Sequence, residues 1–184
     1  DEVDEIVRRI EEIVRESEEM AERIVRDIKR VVEKSRKDVE DNVDELRKIV
    51  EKVEETAKRT RDEELLERLA REVEEVIKKS EESLKRINDT SKRVKDELEK
   101  KNTDLNDRTR RVAEELKKEV SRLRDRDAER KVRDLLRDLE RVNTEADEKS
   151  KKLIKELEKV NKEAEDKSRK LIKELEDVLR EARR

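Results

Sequence analysis

Eight residue types are missing from this 184-residue chain: Gly, Pro, Cys, His, Gln, Phe, Trp and Tyr. Without Gly and Pro, the sequence lacks the residues that make the tight turns of sheets and α/β folds. Without Cys and His, it can form no disulfide, no zinc site and no imidazole or thiol catalyst. Without aromatic side chains, it has no platform for stacking nucleic-acid bases. These absences favour helices over other folds and exclude many kinds of catalytic site.

Charged residues make up 59% of the chain, and 53 Lys and Arg nearly balance 56 Asp and Glu. The two signs are interleaved with no basic stripe, so we expect no nucleic-acid partner. No apolar run approaches the roughly 18 residues that span a bilayer, and no signal peptide is recognisable. We therefore expect no membrane partner and a soluble protein, cytoplasmic on recombinant expression. The first residue is Asp1 rather than Met, which indicates that a preceding segment was removed.

The apolar residues recur at spacings of three and four, which is typical of amphipathic helices. The pattern repeats every 18 residues, as Val14, Val32 and Val50 illustrate. Eighteen residues complete about five turns of an α-helix. We therefore expect nearly straight helices whose axes cross at less than the roughly 20° of ordinary helix bundles.

The phase of this pattern changes twice along the chain, which divides it into three helices. Between residues 1–57 and 65–123 the apolar positions shift by two, a rotation of about 200°, and from residue 128 they shift by about one more. Thr60 with Glu63 has the spacing of a capping box, and Asp125 or Asp127 can cap the next helix. The predicted helices cover about 2–60, 62–124 and 127–183. Short turns then give an all-α, up-down-up three-helix bundle of long, nearly straight helices, a single elongated domain over 1–184.

Nine polar residues fall within the apolar stripes, and Asn143 and Asn161 lie on the flanks of the third stripe. A Ser there can stand in for Ala, but a buried Asn needs hydrogen-bond partners. A ligand or ion site is one alternative. The interpretation that we favour is hydrogen-bond networks that specify helix register and partner choice. The core polar network candidates are Ser17, Ser35, Asn42, Ser80, Ser91, Asn102, Thr109, Asn143, Ser150, Asn161 and Ser168.

The turn positions predict which of these candidates share a level in the bundle. They place Asn42 level with Ser80, Asn161 with Ser91, Asn102 with Ser150, and Thr109 with Asn143. One predicted cluster therefore contains Ser35, Asn42, Ser80, Ser91, Asn161 and Ser168, and the other Ser17, Asn102, Thr109, Asn143 and Ser150.

The third helix repeats almost verbatim, as LERVNTEADEKSKKLIKE in 139–156 and LEKVNKEAEDKSRKLIKE in 157–174, with 13 of 18 positions identical. With the reduced residue set, this resembles computationally designed (de novo) helical bundles, generated parametrically with untwisted 18-residue repeats and core hydrogen-bond networks. The SKKLI and SRKLI segments of this last helix are also similar to helices in designed latch-and-cage switches. The resemblance implies a protein without a natural biochemical activity. The chain departs from such designs in lacking Gly and Pro in its turns.

The sequence offers no catalytic constellation. No central stripe position is Asp or Glu, there is no Glu-x-x-His or Gly-rich phosphate loop, and no base could activate a hydroxyl. We therefore expect no enzyme, no catalytic or metal-binding residues and no cofactor.

Two functions remain open for the chain. The first is a rigid, rod-like scaffold that requires no partner. The alternative is an interaction module, either a self-assembling homo-oligomer or a switch in which one helix is an exchangeable partner, and the third helix is the candidate for exchange. Adjacent apolar pairs such as Leu153 and Ile154 widen the third stripe and favour the alternative, although similar pairs occur in the first helix. A mass near 22 kDa in solution supports the scaffold, and a multiple of it supports the alternative.

Overall fold

The computed structural model describes all residues, 1–184, and contains three α-helices and no strand. Helix α1 covers Glu2–Arg59, α2 covers Glu63–Leu123 and α3 covers Arg126–Ala182. Their lengths are 58, 61 and 57 residues. They pack as a three-helix bundle, so the predicted fold class is confirmed.

The chain divides into two compact units, and each unit contains part of all three helices. Unit 1 consists of Asp1–Arg30 and Val94–Ile154, and it includes the turn between α2 and α3. Unit 2 consists of Val31–Arg93 and Lys155–Arg184, and it includes the turn between α1 and α2.

Contacts within unit 2 give the directions of the helices. Arg36 of α1 pairs with Glu156 of α3, and Asn42, further along α1, contacts Ser168, further along α3. Helices α1 and α3 therefore run parallel there. Helix α2 follows α1 through a three-residue turn and returns antiparallel to both.

Each unit has an apolar core cluster, built by side chains on the inward stripes of all three helices. Full burial of a Leu or Ile side chain contributes roughly 1.5–3 kcal/mol, so these clusters are the main stabilising feature of each unit. In unit 1 the buried members are Ile6, Ile10, Leu116, Val120, Ala128, Val132, Leu136 and Leu139. In unit 2 they are Leu46, Ile49, Val50, Val53, Leu69, Val73 and Leu175.

The turn between α1 and α2 is capped by Asp62. The Glu64 backbone N–H donates to Asp62 Oδ1 at 3.1 Å, and the Asp62 N–H donates to Thr60 Oγ1 at 3.2 Å. The predicted capping box of Thr60 and Glu63 is therefore wrong. The carboxylate of Asp62 takes the N-cap role because it lies one residue before the helix, where it reaches the free N–H groups of the first turn.

The turn between α2 and α3 contains only two residues, Arg124 and Asp125. Asp125 caps α3, since its Oδ1 accepts hydrogen bonds from the N–H groups of Asp127 at 3.1 Å and Ala128 at 3.4 Å. Of the two caps that the sequence allows, the structure therefore uses Asp125. Arg124 has a φ of 51°, in the left-handed region that Gly normally occupies at a helix C-terminus.

Candidate functional site

The buried polar side chains are the feature of this protein that its apolar packing does not explain. All eleven candidates from the sequence are buried, with six in unit 2 and five in unit 1. Every buried polar side chain is Ser, Thr or Asn, and no Asp, Glu, Lys or Arg is buried. The core therefore offers hydroxyl and carboxamide groups for hydrogen bonding but no group that titrates near neutral pH.

A hydrogen bond between Asn42 and Ser168 joins α1 to α3 in unit 2. The Asn42 Nδ2 donates to Ser168 Oγ at 3.3 Å, and both side chains are buried. The sequence placed Asn42 level with Ser80 on α2, but Ser80 Oγ has no hydrogen-bond partner. The two turn positions put Ser168 about one helical turn from the level of Asn42, so this partner could have been found from the sequence.

A second buried hydrogen bond joins α2 to α3 in unit 2. The Asn161 Nδ2 donates to Ser91 Oγ at 2.6 Å, and the Ser91 hydroxyl donates to the Ile87 backbone carbonyl at 2.8 Å. The pair is therefore anchored to the backbone of α2 one turn earlier. The Asn161 Oδ1 has no partner, so the carboxamide is only half satisfied.

The five buried polar residues of unit 1 are not joined in this way. No side-chain hydrogen bond links Ser17, Asn102, Thr109, Asn143 and Ser150 to one another. The Asn143 Oδ1 and the Ser150 Oγ are buried without any partner. The wider clusters that the sequence suggests remain a prediction, since the hydrogen bonds present join two pairs only.

Openings lie beside the polar residues of unit 1. A cavity of about 240 Å³ between α1 and α2 is lined by Ser17 and Thr109. Another of about 390 Å³ between α2 and α3 is lined by Thr109 and Asn143. Both openings are wide enough for water, which can hydrogen-bond the exposed parts of these side chains. Met20, at the first opening, is 42% exposed.

The charged residues lie on the outer faces and make exposed ion pairs. Within unit 1 the Lys151 Nζ lies 3.0 Å from Asp147 Oδ2. The hydrogen bond that Lys151 donates to Asp147, together with the negative charge of Asp147, raises the pKa of Lys151 above the ordinary 10.5. Within unit 2 Arg169 lies 3.0 Å from Glu165. Exposed pairs of this kind contribute little to the free energy of unfolding, because solvent screens the two charges.

The structure gathers no group of three or more Asp, Glu, His or Cys side chains that could hold a metal ion. None of the three helices has a stretch long and apolar enough to cross a membrane. What the core geometry offers is directional pairing of helices through neutral hydrogen bonds.

Comparisons with known proteins agree with this architecture. No protein family model matches the sequence, and no curated protein matches it. A solved structure described as a "Computationally designed three helix bundle" is similar, with a TM-score of 0.62 and 22% sequence identity. The match covers 99% of this chain and 89% of that chain. At this identity the likeness shows the fold alone, and it confirms the resemblance to designed helical bundles that the sequence suggested.

Proposed function

We propose that this chain is a structural scaffold without a natural biochemical activity, in which buried polar pairs specify how its helices pair. The observation that carries the proposal is that both buried hydrogen bonds between two side chains join different helices. Asn42 to Ser168 joins α1 to α3, and Asn161 to Ser91 joins α2 to α3. Helix α3 is thus tied to both of its neighbours.

The physical reason is the cost of a slipped arrangement. A shift of one helical turn, about 5.4 Å, keeps the apolar stripe facing inward but would separate each Asn from its Ser. A buried polar group without a partner costs about 1–3 kcal/mol. Apolar contacts tolerate such a shift more easily, because they lack direction. A buried Asn sets register and partner choice in coiled coils by the same means.

The remaining features support a scaffold rather than an enzyme. The core contains no titratable side chain, and the likeness to a designed bundle suggests no catalytic role. Each helix runs without interruption through residues of both units, which supports a single domain over 1–184 that folds as one.

The proposal is tested by replacing one paired Asn and one unpaired Asn with Leu. Asn42→Leu removes an inter-helix hydrogen bond, whereas Asn102→Leu makes the same change at a buried side chain that has no such bond. We expect Asn42→Leu to keep or raise the stability but to give mixed oligomers by light scattering. Asn102→Leu should stay at the wild-type mass of 22.2 kDa. If both variants remain single, monodisperse species, the hydrogen bonds do not specify pairing.

The alternative function is an interaction module in which one helix can be exchanged. The observation that favours it is the turn before α3, where Arg124 adopts a left-handed conformation. A wild-type species well above 22.2 kDa, formed at high concentration, would contradict the monomeric scaffold and support this alternative.

A further inference from the structure

The turn between α2 and α3 holds a non-glycine residue in a conformation that its side chain disfavours. Arg124 has a φ of 51° and is the only residue of the chain with a positive φ. In that region the Cβ atom approaches the following carbonyl oxygen, which is why helices usually place Gly there. The closed turn therefore carries strain at one residue.

No residue near this turn prevents α2 and α3 from joining into one helix. The whole chain contains no Gly and no Pro. The segment from Ser121 to Ala128 has three Arg, one Leu and one Ala, which are good helix formers, beside two Asp and one Ser. If the turn opened, Arg124 and Asp125 could adopt helical angles. The strain would be relieved, and the N–H and C=O groups at the two helix ends would form regular helical hydrogen bonds.

We propose that this turn is a hinge through which two copies of the chain exchange α3 and form a domain-swapped dimer. The proposal rests on the interaction-module alternative and names its exchanged element, its hinge and its partner, a second copy. In the swapped dimer, α3 of each copy makes with the other copy the contacts that it makes within one chain. Asn42 would then bond to Ser168 of the partner subunit, and Ser91 to Asn161 of the partner subunit. Only the turn differs between the two forms, and a short, strained connection is what favours exchange.

The turn between α1 and α2 is the natural comparison, and it lacks these properties. It has three residues, none with a positive φ. Its Asp62 caps α2 as Asp125 caps α3, so the positive φ, and not the capping, distinguishes the two turns. Exchange through this turn would relieve no strain, so the inference assigns the hinge to Arg124 and Asp125 alone.

Exchange of α3 between two copies competes with the packing of α3 against α1 and α2 of its own chain. A short connection gives an effective concentration in the millimolar range, so the dimer should form mainly when unfolded chains refold at high concentration. The full chain is therefore unfolded in guanidinium, refolded at about 1 mM and at micromolar concentration, and analysed by size-exclusion chromatography with light scattering. We expect a 22.2 kDa species at low concentration and an added species of twice that mass at high concentration.

Variants at the two turns separate the hinge from general association. Arg124→Gly relieves the strain of the closed turn and disfavours the open helix, so it should raise the dimer dissociation constant at least about tenfold per turn. Asp125→Ala removes the cap of α3 and should increase the dimer fraction. The matched changes Arg61→Gly and Asp62→Ala act at the other turn and should leave the dimer fraction unchanged.

A cross-linking experiment identifies the exchanged helix directly. Arg36 of α1 and Glu156 of α3 form an exposed ion pair, and the chain has no Cys. In the double variant Arg36→Cys, Glu156→Cys, a short thiol-reactive cross-linker should act within one chain in the monomer fraction and between two chains in the dimer fraction. Denaturing electrophoresis separates the two products by mass.

Two results would overturn the inference. One is a dimer that cross-links only within chains, because two closed bundles would then associate through their surfaces. The other is the absence of any dimer in both the wild type and Asp125→Ala after refolding at about 1 mM. In the second case the monomeric scaffold would stand, so failure of the hinge is distinguishable from failure of the proposed scaffold.

Discussion

Asn143 in unit 1 and Asn161 in unit 2 occupy the same position of the 18-residue repeat in α3. Their opposing residues on α2, Thr109 and Ser91, are also 18 residues apart. Asn161 donates to Ser91 at 2.6 Å, whereas the oxygen of Asn143 has no partner. The opposing side chain is one difference between the two sites. Ser rotates freely to receive a donor, while the β-branched Thr is stiff at χ1.

A second repeated position shows the same dependence on the opposing helix. Ser150 in unit 1 and Ser168 in unit 2 are equivalent in α3. Ser168 accepts a hydrogen bond from Asn42, but the α1 residue 18 positions before Asn42 is Ile24, and Ser150 Oγ has no partner. A repeated helix therefore does not make a repeated site, because the hydrogen bond also needs a suitable side chain on the neighbouring helix.

Substitutions in the two apolar clusters should lower the free energy of unfolding most, and by similar amounts in the two units. Leu139→Ala in unit 1 and Leu175→Ala in unit 2 each remove a fully buried side chain. Each should lower the free energy of unfolding by about 2–5 kcal/mol, measured by urea denaturation. The exposed Leu65→Ala is the control and should cost under about 1 kcal/mol.

Hydrogen exchange on the same variants tests whether the two units unfold together. If the chain is a single domain, either buried Leu substitution should weaken the protection of slowly exchanging amides in both units. Loss of protection confined to the unit that carries the substitution would show that the units unfold separately.

Substitution of the two repeated Asn residues should give a smaller difference in the free energy of unfolding. Asn143→Leu removes a buried carboxamide that makes no inter-helix hydrogen bond, whereas Asn161→Leu also removes the bond to Ser91. We expect Asn143→Leu to be the more stable variant by about 1 kcal/mol. If the two variants unfold at the same urea concentration and with the same slope, the hydrogen bond of Asn161 does not distinguish the two sites.

The smallest effect that we expect is the loss of one exposed ion pair at high pH. Lys151 with Asp147 in unit 1 corresponds to Arg169 with Glu165 in unit 2. Because the folded-state pKa of Lys151 is raised above 10.5, its pair is fully present below pH 10.5 and is lost as the pH rises through that raised pKa.

An NMR titration of the Lys151 side chain measures this effect, with Asp147→Asn as the control. The variant should return the pKa of Lys151 towards 10.5. An unchanged pKa in the variant would mean that Asp147 is not the cause of the shift.

Much of the fold follows from the sequence because burial is periodic. The 18-residue pattern and its two phase breaks indicate three helices, and the stripes identify positions such as Asn42 and Ser168 as inward-facing. Turn details are harder, because Thr60, Asp62 and Glu63 all suit a helix start and only the local geometry selects Asp62 as the cap. The left-handed Arg124 has no sequence signal, since Gly normally marks that conformation.

The hydrogen bonds themselves could be predicted less well than the burial. Levels along the helices place Asn161 beside Ser91 and Thr109 beside Asn143 with equal force. Whether a bond forms depends on side-chain rotamers and on shifts of an ångström or less, because a hydrogen bond weakens quickly with distance and angle. Sequence periodicity does not resolve differences of that size.

A pair of double-mutant cycles tests the central claim, that unit 2 couples its helices through a buried polar pair and that the equivalent residues of unit 1 do not. One cycle combines Asn161→Ala with Ser91→Ala, and the other combines Asn143→Ala with Thr109→Ala, each followed by urea denaturation. We predict a stabilising coupling energy of about 0.5–3 kcal/mol between Asn161 and Ser91 and a value near zero between Asn143 and Thr109. Equal coupling in the two cycles, or none between Asn161 and Ser91, would contradict the account.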